Sequence, residues 1–288
     1  MMQRLQVIRE ILAHPANRAH RLAALVRYVK WHAGRRLVDG ADFAIRLTPS
    51  AQVILSKREN YATMAYLCGL YDFDEMQFLA HYLRPGDVFG DFGANVGVYS
   101  VLAGSVGATV LSVEPVPATF ARLQGNLRLN SVKGLAVPCG LSDSSGTLRF
   151  TVAHGGMNHV ATPADAETVA VDVCSCDELV ARTGLSPRVL KIDVEGFELP
   201  LLRGGARLLS SVAAIIIELN GSGQVYGHTD DEVHALLLQA GFGCFDYCPE
   251  SRELRARSGY QRRRINSLYI HHAKLDEVSG RLRTVVFG

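Results

Sequence analysis

Two stretches of the chain place reactive residue types at a spacing that can do chemistry. The first is Gly90-Asp91-Phe92-Gly93-Ala94-Asn95-Val96-Gly97. It closes a run that reads as a strand and opens one that reads as a helix, the context in which a glycine-rich string becomes a ligand loop. Gly93 permits a tight turn with close backbone approach, and Gly97 lets the helix start near the sheet. Glu114-Pro115 ends the next apolar run about twenty residues on, where a carboxylate can accept hydrogen bonds from both ribose hydroxyls of an adenosine cofactor. A nicotinamide loop would read Gly-x-Gly-x-x-Gly and seat a pyrophosphate on the helix N-terminus. Here the middle glycine is absent, Asn95 stands nearby, and Asp91 precedes Gly93 by two positions. A carboxylate beside the loop suits a cationic amino-acid tail better than a diphosphate, so S-adenosyl-L-methionine is the favoured cofactor. A glycine turn with no ligand is the bland alternative, and strand, loop, helix and distal acid all speak against it.

The second stretch is Lys191-Ile192-Asp193-Val194-Glu195. Asp193 and Glu195 straddle a strand end, so they can point to different sides. Asp193 facing the cleft is the first acid-base or orienting candidate, and capping of the following helix is its structural alternative. Glu195 reads as structural, with Lys191 as its partner. His159 is the best histidine for a general base, because its loop can overhang the same edge and imidazole titrates near neutrality. A solvated loop histidine is the competing explanation, and His154 and His228 are weaker still. Cys174 with Cys176, and Cys244 with Cys248, lack the completing histidine of a zinc set. Asp193 and Glu218 are the acids a Mg²⁺ would use, but the cluster such a site needs is missing, so no metal is expected.

These residues need a scaffold, and the hydrophobic pattern supplies one. Strands are predicted at 88–92, 109–113, 135–139, 189–194 and 213–219, with helices at 96–105, 119–129, 198–209 and 230–240 between or after them. Stretches 242–247 and 266–271 close the sheet as an antiparallel pair. Repeated strand-helix alternation with apolar strands means a largely parallel sheet covered on both faces. Such sheets bind ligands at the carboxyl ends of their strands, here near Asp91, Glu114, Asp143, Asp193 and Glu218. An excursion interrupts the rhythm: 147–152 and 168–173 alternate as a β pair, joined by a flexible link at 154–167. Before the core, apolar residues at helical spacing (Leu5, Ile8 and Leu12, then Leu22, Leu25, Val26 and Val29) mark two amphipathic helices broken near Pro15. Their apolar faces are expected to pack on the core or on a second subunit. Residues 39–57 look like a short hairpin, and 72–83 like a helix.

Several of these runs together resemble the FkbM-type S-adenosylmethionine-dependent methyltransferases. The resemblance starts with Arg84-Pro85-Gly86-Asp87 and the loop from Asp91 to Gly97. It continues through Val113-Glu114-Pro115 with Phe120, Leu123, Asn126 and Asn130, then Leu141-Ser142-Asp143 with Gly146. Leu190-Lys191-Ile192-Asp193-Val194-Glu195-Gly196-Phe197-Glu198 is the strongest match, followed by Leu202, Gly204, Leu209 and Ile217-Glu218. It covers roughly 71–269. The resemblance implies an α/β class I methyltransferase (Rossmann-like) fold with a mostly parallel seven-stranded sheet, and methyl transfer, mostly to hydroxyls of natural products or sugars. It also implies that Gly93 and Asn95 line the methionine end of the cofactor, Glu114 the ribose, and Ser142 and Asp143 the surroundings of the adenine. Asp193 would lie beside the reacting methyl. The sequence departs from the family pattern at Cys176, where a leucine is common before Asp177, and at Met157-Asn158-His159, where small serine-rich residues are usual. The second departure bears on the acceptor pocket. The organisation expected is an N-terminal helical cap at 1–70, a methyltransferase domain at 71–272 and a tail at 273–288.

The bulk composition narrows the partners. With 48% hydrophobic and 20% charged residues the chain has ordinary globular make-up, and a net charge of +2 gives no global field for nucleic acid or membrane. No apolar stretch is long enough to span a bilayer, and the start lacks a secretory pattern, so a cytoplasmic location is expected. Six cysteines in 288 residues make no disulfide scaffold. Arg252, Arg255, Arg257 and Arg262 to Arg264 read as a solvated loop, or as a seat for an anionic or carrier-bound acceptor, since arginine forks suit such anions. A small-molecule hydroxyl acceptor is the favoured substrate, and a homodimer would bury the N-terminal helices. The alternatives are an RNA or protein methyltransferase and a non-catalytic adenosine-binding module. The base-methylating Asn/Asp-Pro-Pro-Tyr/Phe signature is missing.

Overall fold

The structure, a computed structural model, describes residues 8–9, 11–18, 20–37, 42–56, 62–262 and 266–284. Leu5, Arg263 and Arg264 lie outside the described residues. The N-terminal helical pattern breaks where the proline stands: a 3₁₀ turn at Pro15–Asn17 precedes helix α1 (Arg21–Leu37). Buried Asn17 donates to the carbonyls of Ile11 (3.0 Å) and Leu67 (3.2 Å), pinning this segment to α2 (Ala62–Cys68). The buried face of α1 differs from the expected stripe. Ala24 and Trp31 pack with Ile11 and Leu67, while Leu22, Val26 and Val29 are 77%, 45% and 59% exposed. Small Ala24 allows close approach and Trp31, two turns on, supplies the contact area, so the helix is rotated away from its most apolar side.

Strands β1 (Asp42–Thr48) and β2 (Ala51–Ser56) form the expected antiparallel hairpin. Helix α3 (Phe73–Tyr82) then leads to the central sheet. Its strands are β3 (Val88–Phe92), β4 (Thr109–Val113), β5 (Gly134–Val137), β9 (Val189–Ile192), β10 (Ala214–Glu218), β11 (Phe242–Cys248), β12 (Glu253–Ala256) and β13 (Asn266–His271). They are ordered β12-β11-β13-β10-β9-β3-β4-β5. The run from β10 to β5 is parallel, and β13 inserts antiparallel between β10 and β11. This is the class I methyltransferase sheet with β12 added at one edge. That strand falls in the arginine-rich stretch, where four largely exposed residues gave no alternation to detect.

Strand order reverses between β3 and β9, and at such a switch point the loops leaving neighbouring strands diverge to open a crevice. Helices α4 (Val98–Ser105) and α5 (Pro117–Leu129) follow β3 and β4. Asn126 on α5 and Asn130 at its C-cap act as clamps: their side-chain oxygens accept from Ile54 N (2.8 Å) and Gln52 N (2.9 Å), tying the hairpin edge to the core. Asp87, at the start of β3, accepts from Arg84 N (2.8 Å) and pairs with Arg188 (3.1 Å) and Arg281. Arg281 lies on α10 (Leu275–Arg283), which buries Val278 and Leu282 on the core.

The excursion is a separate sheet ordered β6 (Gly140–Ser142), β8 (Thr168–Ser175), β7 (Gly146–Thr151). Its antiparallel β7–β8 pair matches expectation; β6, three residues long, is too short for a pattern. Link 154–167 is folded back rather than loose, with a helical turn at Gly155–Met157 and Val160 bridging Phe150. After α6 (Cys176–Thr183) and β9, the helix expected at 198–209 is divided into α7 (Glu198–Arg203) and α8 (Ala206–Ser211). The break has a cause: a Cβ on Gly204 would lie 2.1 Å from the Ser142 carbonyl oxygen, so the chain turns there against β6. Helix α9 (Asp230–Gln239) opens with a Thr229/Glu232 capping box.

Candidate active site

The glycine loop crosses the end of β9 with no room for a side chain. Gly93 has φ +80°, and a Cβ there would fall 1.8 Å from the Asp193 carbonyl oxygen. Its N–H and that of Ala94 donate to Val113 O (3.0 and 2.8 Å), which fixes the turn against β4. Asn95 is also left-handed, φ +50°, a conformation asparagine tolerates better than most residues. Gly97, φ +88°, lies so close to Leu123 that an added Cβ would meet its Cδ1 at 2.6 Å.

Glu114 holds this loop from the neighbouring strand. Its Oε2 accepts from Asn95 N and its Oε1 from Val116 N, both at 3.0 Å. The side chain is buried, and that burial pushes its carboxyl up to about 7 against the two backbone donors. A carboxylate offers about four lone-pair sites, so two remain for further donors.

Two pockets open from the loop. One is a slot lined by Glu114, Pro115, Leu141, Phe150, Val194 and Phe197. The other is bordered by Asp72, Asp91, Tyr99, Lys191, Glu218 and Asn220. Gly93, Asn95, Gly156, Asp193 and Glu195 line both, so the two meet at the tip of β9. The slot suits a flat apolar ring with a polar edge, and the second pocket suits a hydrogen-bonding guest.

Lys191 is the electrostatic centre of the second pocket. It is buried, with Nζ 3.1 Å from Asp193 Oδ2 and 5.5 Å from the Tyr99 ring centroid. Burial works against its charge, but Asp193, Glu218 and Asp72 outweigh it and hold the ammonium above its ordinary range. Asp72 accepts from Tyr99 Oη (2.8 Å), while burial pushes its carboxyl up. Glu218 is raised by burial and then by Asp193. Asp91 accepts from Ser100 Oγ, and burial lifts it to about 6. It faces the second pocket, not the slot.

The expected pairing of Lys191 with Glu195 is replaced by Lys191 with Asp193. Glu195 has φ +50° and is lifted to about 7 by burial, then by Asp193 and Glu198. The next helix has no side-chain cap; Glu198 instead braces the turn before it, its Oε1 accepting from Val194 N (3.3 Å) and Gly196 N (3.1 Å). Asp193 is thereby left to face the pockets.

Other expected site residues stand further back. Ser142 is buried behind the slot, whose wall is formed by Cys139, Gly140 and Leu141, and Asp143 is exposed beside it. His159 lines neither pocket although its neighbours Asn158 and Val160 do. Its Nδ1 donates to Met157 O (3.0 Å) and its Nε2 lies 3.6 Å from Asp165. Asp72, Tyr99 and Asn220 were not foreseen. Asp72 stands at the N-cap position of α3, yet it makes no capping bond and accepts from Tyr99 instead.

Among the described residues, no group of three or more His, Cys, Asp or Glu could hold a metal, and no helix is long and apolar enough to cross a membrane. Of the arginines, Arg257 pairs with Asp246 (2.7 Å) and Arg262 with Asp231 (2.8 Å).

A family model described as the methyltransferase FkbM domain matches residues 91–244. The hexuronic acid methyltransferase AglP of Haloferax volcanii is 35% identical, over 51% of this chain and 62% of that protein. The 31-O-demethyl-FK506 methyltransferase FkbM of Streptomyces tacrolimicus is 30% identical, over 42% of this chain and 60% of that protein. This chain thus spans about three-fifths of the length of these relatives. Among solved structures, the magnesium protoporphyrin IX methyltransferase ChlM of Synechocystis PCC 6803 aligns with a TM-score of 0.43 at 13% identity, over 73% of this chain and 83% of that one.

Proposed function

The chain belongs to the FkbM methyltransferase domain family, and from that premise we propose that it transfers a methyl group from S-adenosylmethionine to a hydroxyl of a small molecule, a sugar or another natural product. The observation that carries this reading is the meeting of the two pockets at Gly93, Asn95 and Asp193. A donor in the slot and an acceptor in the polar pocket would face each other at one carboxylate. The names of the relatives, a hexuronic acid methyltransferase and a 31-O-demethyl-FK506 methyltransferase, support an oxygen of a small molecule as the acceptor.

The slot fits the cofactor. Glu114 keeps lone pairs for two ribose hydroxyls, Leu141, Phe150 and Phe197 supply apolar walls for the adenine, and Gly93, Asn95 and Asp193 border the end of the slot where the methionine part would lie. When bound, S-adenosylmethionine supplies an electrophilic methyl on a sulfonium. The protein's own contribution is to align the acceptor oxygen and take its proton. Asp193 is the proposed proton acceptor, Lys191 holds it in place, and Asp72, Glu218 and Asn220 receive the acceptor's other hydroxyls.

S-adenosylhomocysteine at about one hundred times its dissociation constant should stabilise the protein by about 2.7 kcal/mol, seen as a raised melting temperature, with NAD giving none. A shift with NAD alone would overturn the cofactor assignment. Because the His159 imidazole turns to Asp165, His159→Ala should keep the transfer rate within about twofold, the small effect ordinary for a side chain outside the reacting groups. A loss on the order of a hundredfold, which a positioned base supplies, would restore His159 to catalysis.

A further inference from the structure

We propose that the acceptor is longer than one ring: a hydroxyl-rich chain that runs from the reacting pocket along a groove beside α3 and ends in an anionic group on Arg18 and Arg255. The proposal rests on the methyl-transfer reading and extends it to the class of substrate. A third concavity, walled by His14, Pro15, Phe73 and Asn266, shares Tyr71 and Asp72 with the reacting pocket. At its other end it shares Pro15 and Asp74 with a wide surface groove that carries Arg18, Arg255, Arg257 and Arg262. The three are strung in sequence from Asp193 to the arginines.

The middle stretch is short of donors. Asn266 is 4% exposed and donates its amide to Asp72, which leaves its Oδ1 as the free acceptor. That oxygen has no hydrogen-bond partner among the described residues, nor does Nδ1 of His14. His14 Nε2 faces the Tyr71 carbonyl at 3.0 Å and must be the donor there, so the neutral ring presents a lone pair at Nδ1. Unpaired buried acceptors are costly and few in folded proteins. With the Asp72 and Glu218 carboxylates of the adjoining pocket they make a track of acceptors. The guest that satisfies such a track brings hydroxyl donors at regular spacing, as an oligosaccharide does, and the aromatic residues Tyr71 and Phe73 line the same concavity.

At the far end the charge changes sign. Asp246 is occupied by Arg257 at 2.7 Å, whereas exposed Arg18 and Arg255 make no ion pair within 4 Å among the described residues, although Arg18 lies near enough to Glu250 to help lower its carboxyl. Asp74 and Glu250 share the groove, so the seat is mixed in charge and selects a localised anion over a diffuse one. A phosphate ester or a carboxylate meets that requirement.

Calorimetry on the full chain saturated with S-adenosylhomocysteine tests this. The probes are methyl glycosides of glucose, mannose, galactose and glucuronic acid, the matching disaccharides, their 1-phosphates, and carboxymethyl disaccharides. In at least one sugar series the disaccharide should bind about tenfold tighter than the monosaccharide, a gain worth one or two hydrogen bonds, and His14→Phe should erase it. A terminal phosphate should add about tenfold more, erased in the double variant Arg18→Ser/Arg255→Ser and weakened by salt. An equal gain from the carboxymethyl group means that charge alone is read, and a gain from phosphate only means that the ester is read. Disaccharides no tighter than monosaccharides in every series, or an anion gain that survives in the double variant, would overturn the proposal. Failure to bind S-adenosylhomocysteine would remove the methyl-transfer reading itself, and this extension with it.

Discussion

Asp193→Asn should slow methyl transfer by about 10²–10⁴-fold, the usual contribution of a positioned base, with S-adenosylhomocysteine affinity changed by less than about fivefold. Asparagine keeps the shape of the side chain and an oxygen for Lys191, but it cannot take a proton from an acceptor hydroxyl. The geometry favours Asp193 over its neighbours because it lines both pockets and also holds the Lys191 ammonium at 3.1 Å. Glu195 shares the lining but sits on a left-handed backbone, φ +50°, and Lys191 pairs with Asp193 instead. Losing the only partner of a buried ion costs about 3–5 kcal/mol. The cost here should be smaller, since Glu218 and Asp72 still act on Lys191. Single-turnover rates and melting temperatures measured on the same preparation separate the two effects. An unchanged single-turnover rate would move the base to Glu218 or Asp72.

The parts of this site that could be read from sequence are those set by contiguous residues. A glycine at φ +80° after an apolar strand and an acid at the end of the next strand are local requirements, and both stand where the spacing placed them. The parallel core was equally legible, because β3, β4, β9 and β10 are buried along almost their whole length and so read as mainly apolar runs in spite of Asp91, Ser112 and Lys191. Asn126 and Asn130 could be recognised as a pattern, but their work, holding a hairpin more than seventy positions earlier, is visible only in three dimensions.

What escaped depends on contacts distant in sequence or on side-chain direction. Asp72 belongs to the pocket because Tyr99, 27 residues later, donates to it. The His159 loop does reach the pocket edge, as its sequence suggested, yet Asp165 and the Met157 carbonyl turn the imidazole away. Helix α1 buries Ala24 and Trp31 instead of its leucine and valine stripe, since fit to α2 outweighed the hydrophobic pattern. Lys191 was read as a partner for Glu195 by spacing, but the left-handed turn at Glu195 breaks the alternation on which that pairing depends.

Glu114→Ala should weaken S-adenosylmethionine about tenfold or more, since hydrogen bonds to a charged group are each worth roughly 1.5–3 kcal/mol. The variant loses the proposed ribose contacts and also the bonds that hold Asn95 N and Val116 N, so loop order falls with them. A pH dependence distinguishes this from simple loosening. Burial raises the Glu114 carboxyl to about 7 in the free protein. Ribose hydroxyls donating to the carboxylate favour its ionised form and so lower that value in the complex. Binding therefore expels a proton below about pH 7, and affinity declines as pH falls through that range, by up to about tenfold per unit, until the value in the complex is reached. Calorimetric titration of S-adenosylhomocysteine from about pH 8.5 down to about 5.5 should show this decline in the natural protein. The Glu114→Ala protein should be weaker throughout, with that decline removed. A decline of equal slope in both would assign the proton to another raised carboxylate, with Glu195 next in line at the same pocket edge. Equal affinity in the two proteins at about pH 8.5, where Glu114 is ionised, would take the ribose away from Glu114 altogether.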